Sequence, residues 1–194
     1  MNRASQGKRY GRNIVKKLLK NHLAVGCAVL LALFAGANSA QAQVTKVPLV
    51  WNQFTTIGYV EALVLDGNLW MNITTTNVNF TMDSASVAVG ETLADIPRNK
   101  NGSPKQGNFP YQYQGGSGIR TFFMVIPLSS DRCDRSFVLA VHAMAKDITG
   151  VANGGVATTA WAGGDQGTRF SEGNWATYFK IKCLFSDSDR TGSD

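Results

Sequence analysis

The residues best equipped for chemistry lie in one glycine-rich stretch, Thr158 to Phe179. Trp161 precedes Gly163-Gly164, the loop carries Asp165, Arg169 and Glu172, and Trp175 opens what reads as a further strand. Glycines let a ligand approach the backbone, an aromatic ring offers a sugar a stacking face, and charged groups fix orientation. With Tyr111 added, Trp161, Asp165, Arg169 and Glu172 form the candidate binding set. The competing reading is a long hairpin whose glycines serve turn geometry and whose Arg169 pairs with Asp165 or Glu172. The two carboxylates also have the composition of a glycosidase pair, in which separation decides the mechanism. Both sit on one loop, however, and no second catalytic strand is identifiable. An extracellular hydrolase using Asp165, Glu172 or His142 is therefore the alternative to a binding protein.

His142 lies inside the apolar run Phe137 to Ala145, the usual setting of a hydrogen-bonded core or groove histidine. No Gly-x-Ser-x-Gly elbow accompanies it. A zinc site built from Cys133, Cys183 and His142 lacks any close ligand spacing. Asp165, or Asp131 with Asp134, lacks the dense Asp/Asn pattern of a calcium loop. No metal and no cofactor are expected. Asn72-Ile73-Thr74, Asn79-Phe80-Thr81 and Asn101-Gly102-Ser103 match the N-glycosylation sequon, used only where the source glycosylates. Trp51, Trp70 and Phe54 read as core rather than as a binding platform.

Such residues need a scaffold, and the sequence points to strands. Short β-branched and aromatic runs alternate with Gly, Asn, Asp and Pro, and no sustained helical stripe is present. Ile57–Leu65 and Leu69–Thr75 flank Asp66-Gly67-Asn68, a hairpin signal because glycine tolerates positive φ. Ser86–Val89 is a short strand candidate, and Asp95–Asn108 a polar loop with nothing to bury. Ile119–Leu128 and Ser136–Lys146 are continuous apolar runs suited to the middle of a sheet covered on both faces. Val156–Trp161 and Trp175–Leu184 complete the set, the latter with Trp175, Thr177, Phe179, Ile181 and Cys183 on one face. Eight or nine short strands in one domain predict an all-β, antiparallel β-sandwich or jelly roll.

The N-terminal 42 residues have another character. Arg3, Lys8, Arg9, Arg12, Lys16, Lys17 and Lys20 precede an apolar run, Leu23–Ala37, which ends in Asn38-Ser39-Ala40-Gln41-Ala42. A basic n-region, short apolar h-region and A-x-A exit, in that order, are the parts of a secretory signal peptide. The run is short for a membrane span, which needs ~20 residues, so cleavage after Ala42 is expected and a retained anchor is the alternative. The chain's net charge of +6 is then misleading, because residues 43–194 hold 12 Lys+Arg against 13 Asp+Glu. A basic patch of the kind that binds nucleic acid is not implied. In an oxidising compartment Cys133 and Cys183 invite a disulfide, with two buried free thiols as the alternative. The expected domains are 1–42 signal peptide, 43–184 β-domain and 185–194 disordered Asp/Ser tail.

Two segments also resemble a family of secreted or cell-surface domains with no established activity. They are Gly107-Asn108-Phe109-Pro110-Tyr111 and the set Thr159-Ala160-Trp161-Ala162, Arg169-Phe170 and Gly173-Asn174-Trp175-Ala176-Thr177-Tyr178-Phe179. Ser86-Val87-Ala88-Val89-Gly90 and Asp95-Ile96-Pro97 fall in the expected order. The resemblance implies a β-rich extracellular domain. One departure is Thr158, where the family has glutamate, which puts any carboxylate role there in doubt.

The reading as a whole is a protein secreted to the periplasm or the exterior. It is expected to be non-catalytic and to bind an extracellular ligand, a carbohydrate being one class, or to form part of a cell surface. A self-assembling structural subunit is a third class. The expected partners are an extracellular ligand or surface component, with no nucleic acid and no membrane beyond the export signal.

Overall fold

A computed structural model describes residues 43–65, 67–128 and 136–182. The leader, Asp66 of the expected hairpin turn, Asp131, Asp134, Cys133, Cys183 and the Asp/Ser tail lie outside the described residues. Among those described, ten strands form: β1 (Thr45–Trp51), β2 (Thr55–Leu65), β3 (Asn68–Thr75), β4 (Phe80–Gly90), β5 (Tyr111–Ile119), β6 (Thr121–Pro127), β7 (Ser136–Asp147), β8 (Thr158–Ala162), β9 (Thr168–Arg169) and β10 (Thr177–Lys182). Every pairing is antiparallel. The all-β expectation holds. No helix among these residues is long and apolar enough to cross a membrane.

The architecture differs from two stacked sheets. One hydrogen-bonded sheet runs in the order β5-β4-β7-β8-β1-β2-β3-β6. Because β5 ends at Ile119 and β6 begins at Thr121, the two ends of that path are consecutive in the chain, and the sheet curls back on itself through Arg120. There the Thr75 N–H donates to the Arg120 carbonyl at 2.8 Å. β8 and β10 share one edge of β7, with His142 opposite Trp161 and Leu139 opposite Phe179. They act as a single strand interrupted by the excursion of residues 163–176.

Period-2 alternation fills the inside of the curl. Val60, Ala62 and Val64 of β2 meet Leu69, Met71 and Ile73 of β3, Leu139, Val141 and Ala143 of β7, and Phe179 and Ile181 of β10. The β2–β3 hairpin runs in register from Gly58 opposite Thr75 to Leu65 opposite Asn68, with Gly67 at φ 68° in its turn. Thus Trp51 is core, whereas Trp70 is half-buried on the outside and Phe54 is 88% exposed.

Other expectations need correction. β7 is buried on both faces, but Ile119–Leu128 is not a central strand. It breaks at Arg120, and β6 ends the path with Phe122 and Ile126 inward and Phe123 and Val125 outward. The polar loop before β5 does bury a side chain, Ile96, 1% exposed. Trp175 precedes β10 and packs outside the sheet, away from Phe179 and Ile181.

Candidate functional site

The outer surface of the curl is divided. Over β4, β7 and β8, a second apolar cluster joins Ala88, Val138, Ala140 and Trp161 of the sheet to Ile96 and Phe109 of one crossing loop and Phe170 and Ala176 of another. Trp161 sits at its centre, 4% exposed, edge-on to Phe109 at 6.2 Å and Phe170 at 6.1 Å. Phe170 in turn meets Tyr178 at 5.2 Å. Segments 107–111 and 159–179 therefore meet here, and their aromatic residues hold the covering loops down. Trp161 has no open ring face for a ligand.

The glycines of the 163–173 loop are explained by packing. Gly163 (φ 117°) and Gly167 approach each other and Thr177 so closely that a Cβ on either would lie 3.0 Å from the other's Cα. Gly164 (φ 47°) lies against Val50. The Gly163 N–H donates to Pro48 O at 2.8 Å, and the Thr177 hydroxyl to Ala162 O at 2.8 Å. Asp165, Arg169 and Glu172 are all exposed and form no ion pair with a described residue, so the expected internal pairing of Arg169 does not occur. Tyr111 is half-buried against the interior cluster, its residue opposite Val87, and so lies on the other face of the sheet from Trp161. The five candidate residues do not converge on one site.

His142 is 5% exposed beside Trp161, ring centroids 4.9 Å apart. Its Nδ1 is 3.3 Å from Ser86 Oγ and its Nε2 3.5 Å from Thr159 Oγ1. Burial pushes its pKa down to about 4, so the ring is neutral near pH 7 and a poor proton acceptor. A neutral imidazole donates with one nitrogen and accepts with the other, and two hydroxyls suit it. This is the hydrogen-bonded core histidine expected from the sequence. Among the described residues no three His, Cys, Asp or Glu side chains come together as a metal site.

The outer face of β2, β3 and β6 has a different surface. Across it run the rows Leu63–Trp70–Val125 and Lys46–Glu61–Asn72–Phe123. Phe123 and Val125 are 49% and 42% exposed, and Trp70 packs on Phe123 with ring centroids 6.0 Å apart. Lys46 lies over the Tyr59 ring at 3.5 Å and pairs with Glu61 at 3.1 Å, cancelling the charge of this patch. The indole N–H of Trp70 and Oδ1 of Asn72 are buried without a hydrogen-bond partner. Sequence reasoning placed Trp70 in the core. The polar alternation of Asn68, Asn72 and Thr74 around it was the signal that this face is outward.

No family model matches the chain, and no curated protein and no solved structure is significantly similar to it.

Proposed function

We propose that this is a secreted, non-catalytic binding protein whose contact face is the outer surface of β2, β3 and β6, and whose ligand is a neutral carbohydrate. One observation carries the reading: partly exposed aromatic rings, Trp70 and Phe123, stand among amides and hydroxyls on a charge-balanced patch. Rings stack on the apolar faces of sugars. A sugar hydroxyl is both donor and acceptor, and the exposed Thr74 and Thr121 hydroxyls beside the rings can serve as either partner. Support for a non-catalytic role comes from His142, whose lowered basicity and hydroxyl partners suit structure better than proton transfer. Secretion rests on the leader sequence, and the resemblance to extracellular β-rich domains belongs to the same proposal. A second reading keeps the ligand on the 163–173 loop, favoured by the unpaired Asp165, Arg169 and Glu172.

Native electrophoresis through gels containing neutral β-glucan or xylan separates the two. Retardation lost in Phe123→Ala but kept in the triple variant Asp165→Asn/Arg169→Gln/Glu172→Gln supports the sheet face. The reverse pattern moves the ligand to the loop, and no retardation of the parent protein sinks the carbohydrate reading.

A further inference from the structure

The connections at one end of the sheet are residues 52–54 between β1 and β2, 76–79 between β3 and β4, Arg120 between β5 and β6, and 148–157 between β7 and β8. The register puts all of them at the same end, since Trp51 pairs with Thr55, Thr74 with Thr121, Phe80 with Asp147 and Ala145 with Thr158. These loops carry Phe54 (88% exposed), Val78 (68%), Ile148 (54%), Val151 (90%) and Val156 (63%). That is five of the eight large apolar side chains exposed among the described residues. The concentration at one end calls for a cause.

Hydrogen bonds make these loops one unit. Ile148 N–H donates to Asn79 O at 2.8 Å, fastening the loop of Val78 to that of Val151. Asn52 N–H donates to Thr159 O at 3.1 Å, fastening the loop of Phe54 beside the end of the Val156 loop. Val151 is held out by a turn built on Asp147, whose carboxylate accepts from Thr149 N–H, the Thr149 hydroxyl and Ala152 N–H. Val151 N–H donates to Thr149 Oγ1, and Val156 N–H to Asn153 O. Within the loops themselves the only charged residue is Arg120, exposed, whose guanidinium donates to the Val78 carbonyl.

We propose that this end docks on a phospholipid surface, the five tips entering the boundary between headgroups and acyl chains while Arg120 meets a lipid phosphate. Three features select lipid over a protein partner or a second copy. The tips stand singly on separate loops at up to 90% exposure, rather than lying flush as in a packed interface. Four of the five tip amides, those of Phe54, Ile148, Val151 and Val156, donate to nearby protein oxygens, so entry strands few backbone donors, as an apolar medium demands. Lacking any free carboxylate, the loops do not repel phosphate, and the one cation favours it. This surface is separate from the carbohydrate face and does not depend on it. It also adds a membrane contact beyond the leader.

The test is co-sedimentation of the full chain with vesicles of phosphatidylcholine, alone or mixed with phosphatidylglycerol. It compares the parent protein with the Phe54→Ser/Val151→Ser variant, Arg120→Gln and Phe123→Ala, each checked for an unchanged melting transition. Any contribution of the leader is common to all four. The double variant should bind both vesicles about tenfold or more weakly. Arg120→Gln should lose the gain from phosphatidylglycerol, and Phe123→Ala should bind like the parent. Equal binding by the parent and the double variant, or no parental binding, overturns the proposal. So does a concentration-dependent self-association that the double variant abolishes without vesicles, which would assign the tips to a second copy.

Discussion

Lowering the pH protonates His142 in the unfolded chain well before the folded protein accepts a proton. The folded pKa is about 4 against 6.5 for the free side chain, because burial beside Trp161 disfavours the imidazolium. Above pH 6.5 both states hold a neutral ring and the residue contributes no pH dependence. Between 6.5 and 4 the unfolded state binds more protons, so stability falls with pH and levels off below the folded value. At about 1.4 kcal/mol per pH unit, the loss is about 1.4 kcal/mol near pH 5.5 and about 3 kcal/mol near pH 4. Urea unfolding at about pH 7, 5.5 and 4.5 should be compared between the parent protein and His142→Gln, which cannot titrate. Asp95 and Asp147 also respond to acid. Hydrogen bonds from Thr92 and from Thr149 hold their carboxyls below the usual range, and that stabilisation is lost as pH falls through those lowered values. Both proteins share these groups, so the difference between their curves isolates His142. Parallel curves would refute the buried, neutral histidine.

Other consequences can be measured directly. Trp161→Ala removes the ring on which Phe109 and Phe170 close, and should cost about 3–5 kcal/mol in urea unfolding while loosening both covering loops to proteolysis. A loss under about 1 kcal/mol would show that the second cluster is not a core. Lys182 pairs with Ser136, so Cys183 follows one paired residue and Cys133 precedes the other by three positions. A Cys133–Cys183 disulfide is therefore proposed. Intact mass should show no alkylation before reduction and two alkylated thiols after it, on a chain beginning at Gln43. Reduction should cost about 4 kcal/mol for a loop of about 50 residues. Free thiols before reduction would remove the bridge, and a retained leader would make the chain membrane-anchored.

What the sequence revealed was local. The β2–β3 hairpin was legible because Gly67 and the alternation around it act within a few residues, and β7 because both its faces are apolar. β1 was missed because Pro48 reads as a breaker. Its carbonyl faces Gly163, so its nitrogen, which has no hydrogen to give, also points away from β2 and removes no bond of that ladder. β5 was missed because Gln114-Gly115-Gly116-Ser117-Gly118 reads as loop, although a Cβ on Gly115 would strike Tyr113 and Ile119. The candidate residues do not converge, for a non-local reason. An aromatic residue before a glycine-rich loop looks the same whether it awaits a sugar or a phenylalanine, and Phe109 lies roughly 50 residues upstream. Phe123 and Val125 were hidden in a run whose outer half has no cover, a fact of strand order that no window of sequence contains.

The same strand order governs when the molecule can form. β1 to β3 pair as successive hairpins, but the far edge of β1 waits for β8, with Val50 opposite Trp161, roughly 110 residues later. β4 waits for β7, and the last edge of β7 for β10. A chain made from its N-terminus thus delivers the partners of its first strands late. Folding should take milliseconds to seconds rather than microseconds, and until β7 arrives the hairpin of Val60, Ala62, Met71 and Ile73 has no opposite wall. During that interval the exposed apolar edge is open to pairing with neighbouring chains. The first half of the chain therefore needs shielding from its neighbours until the last strand has been made.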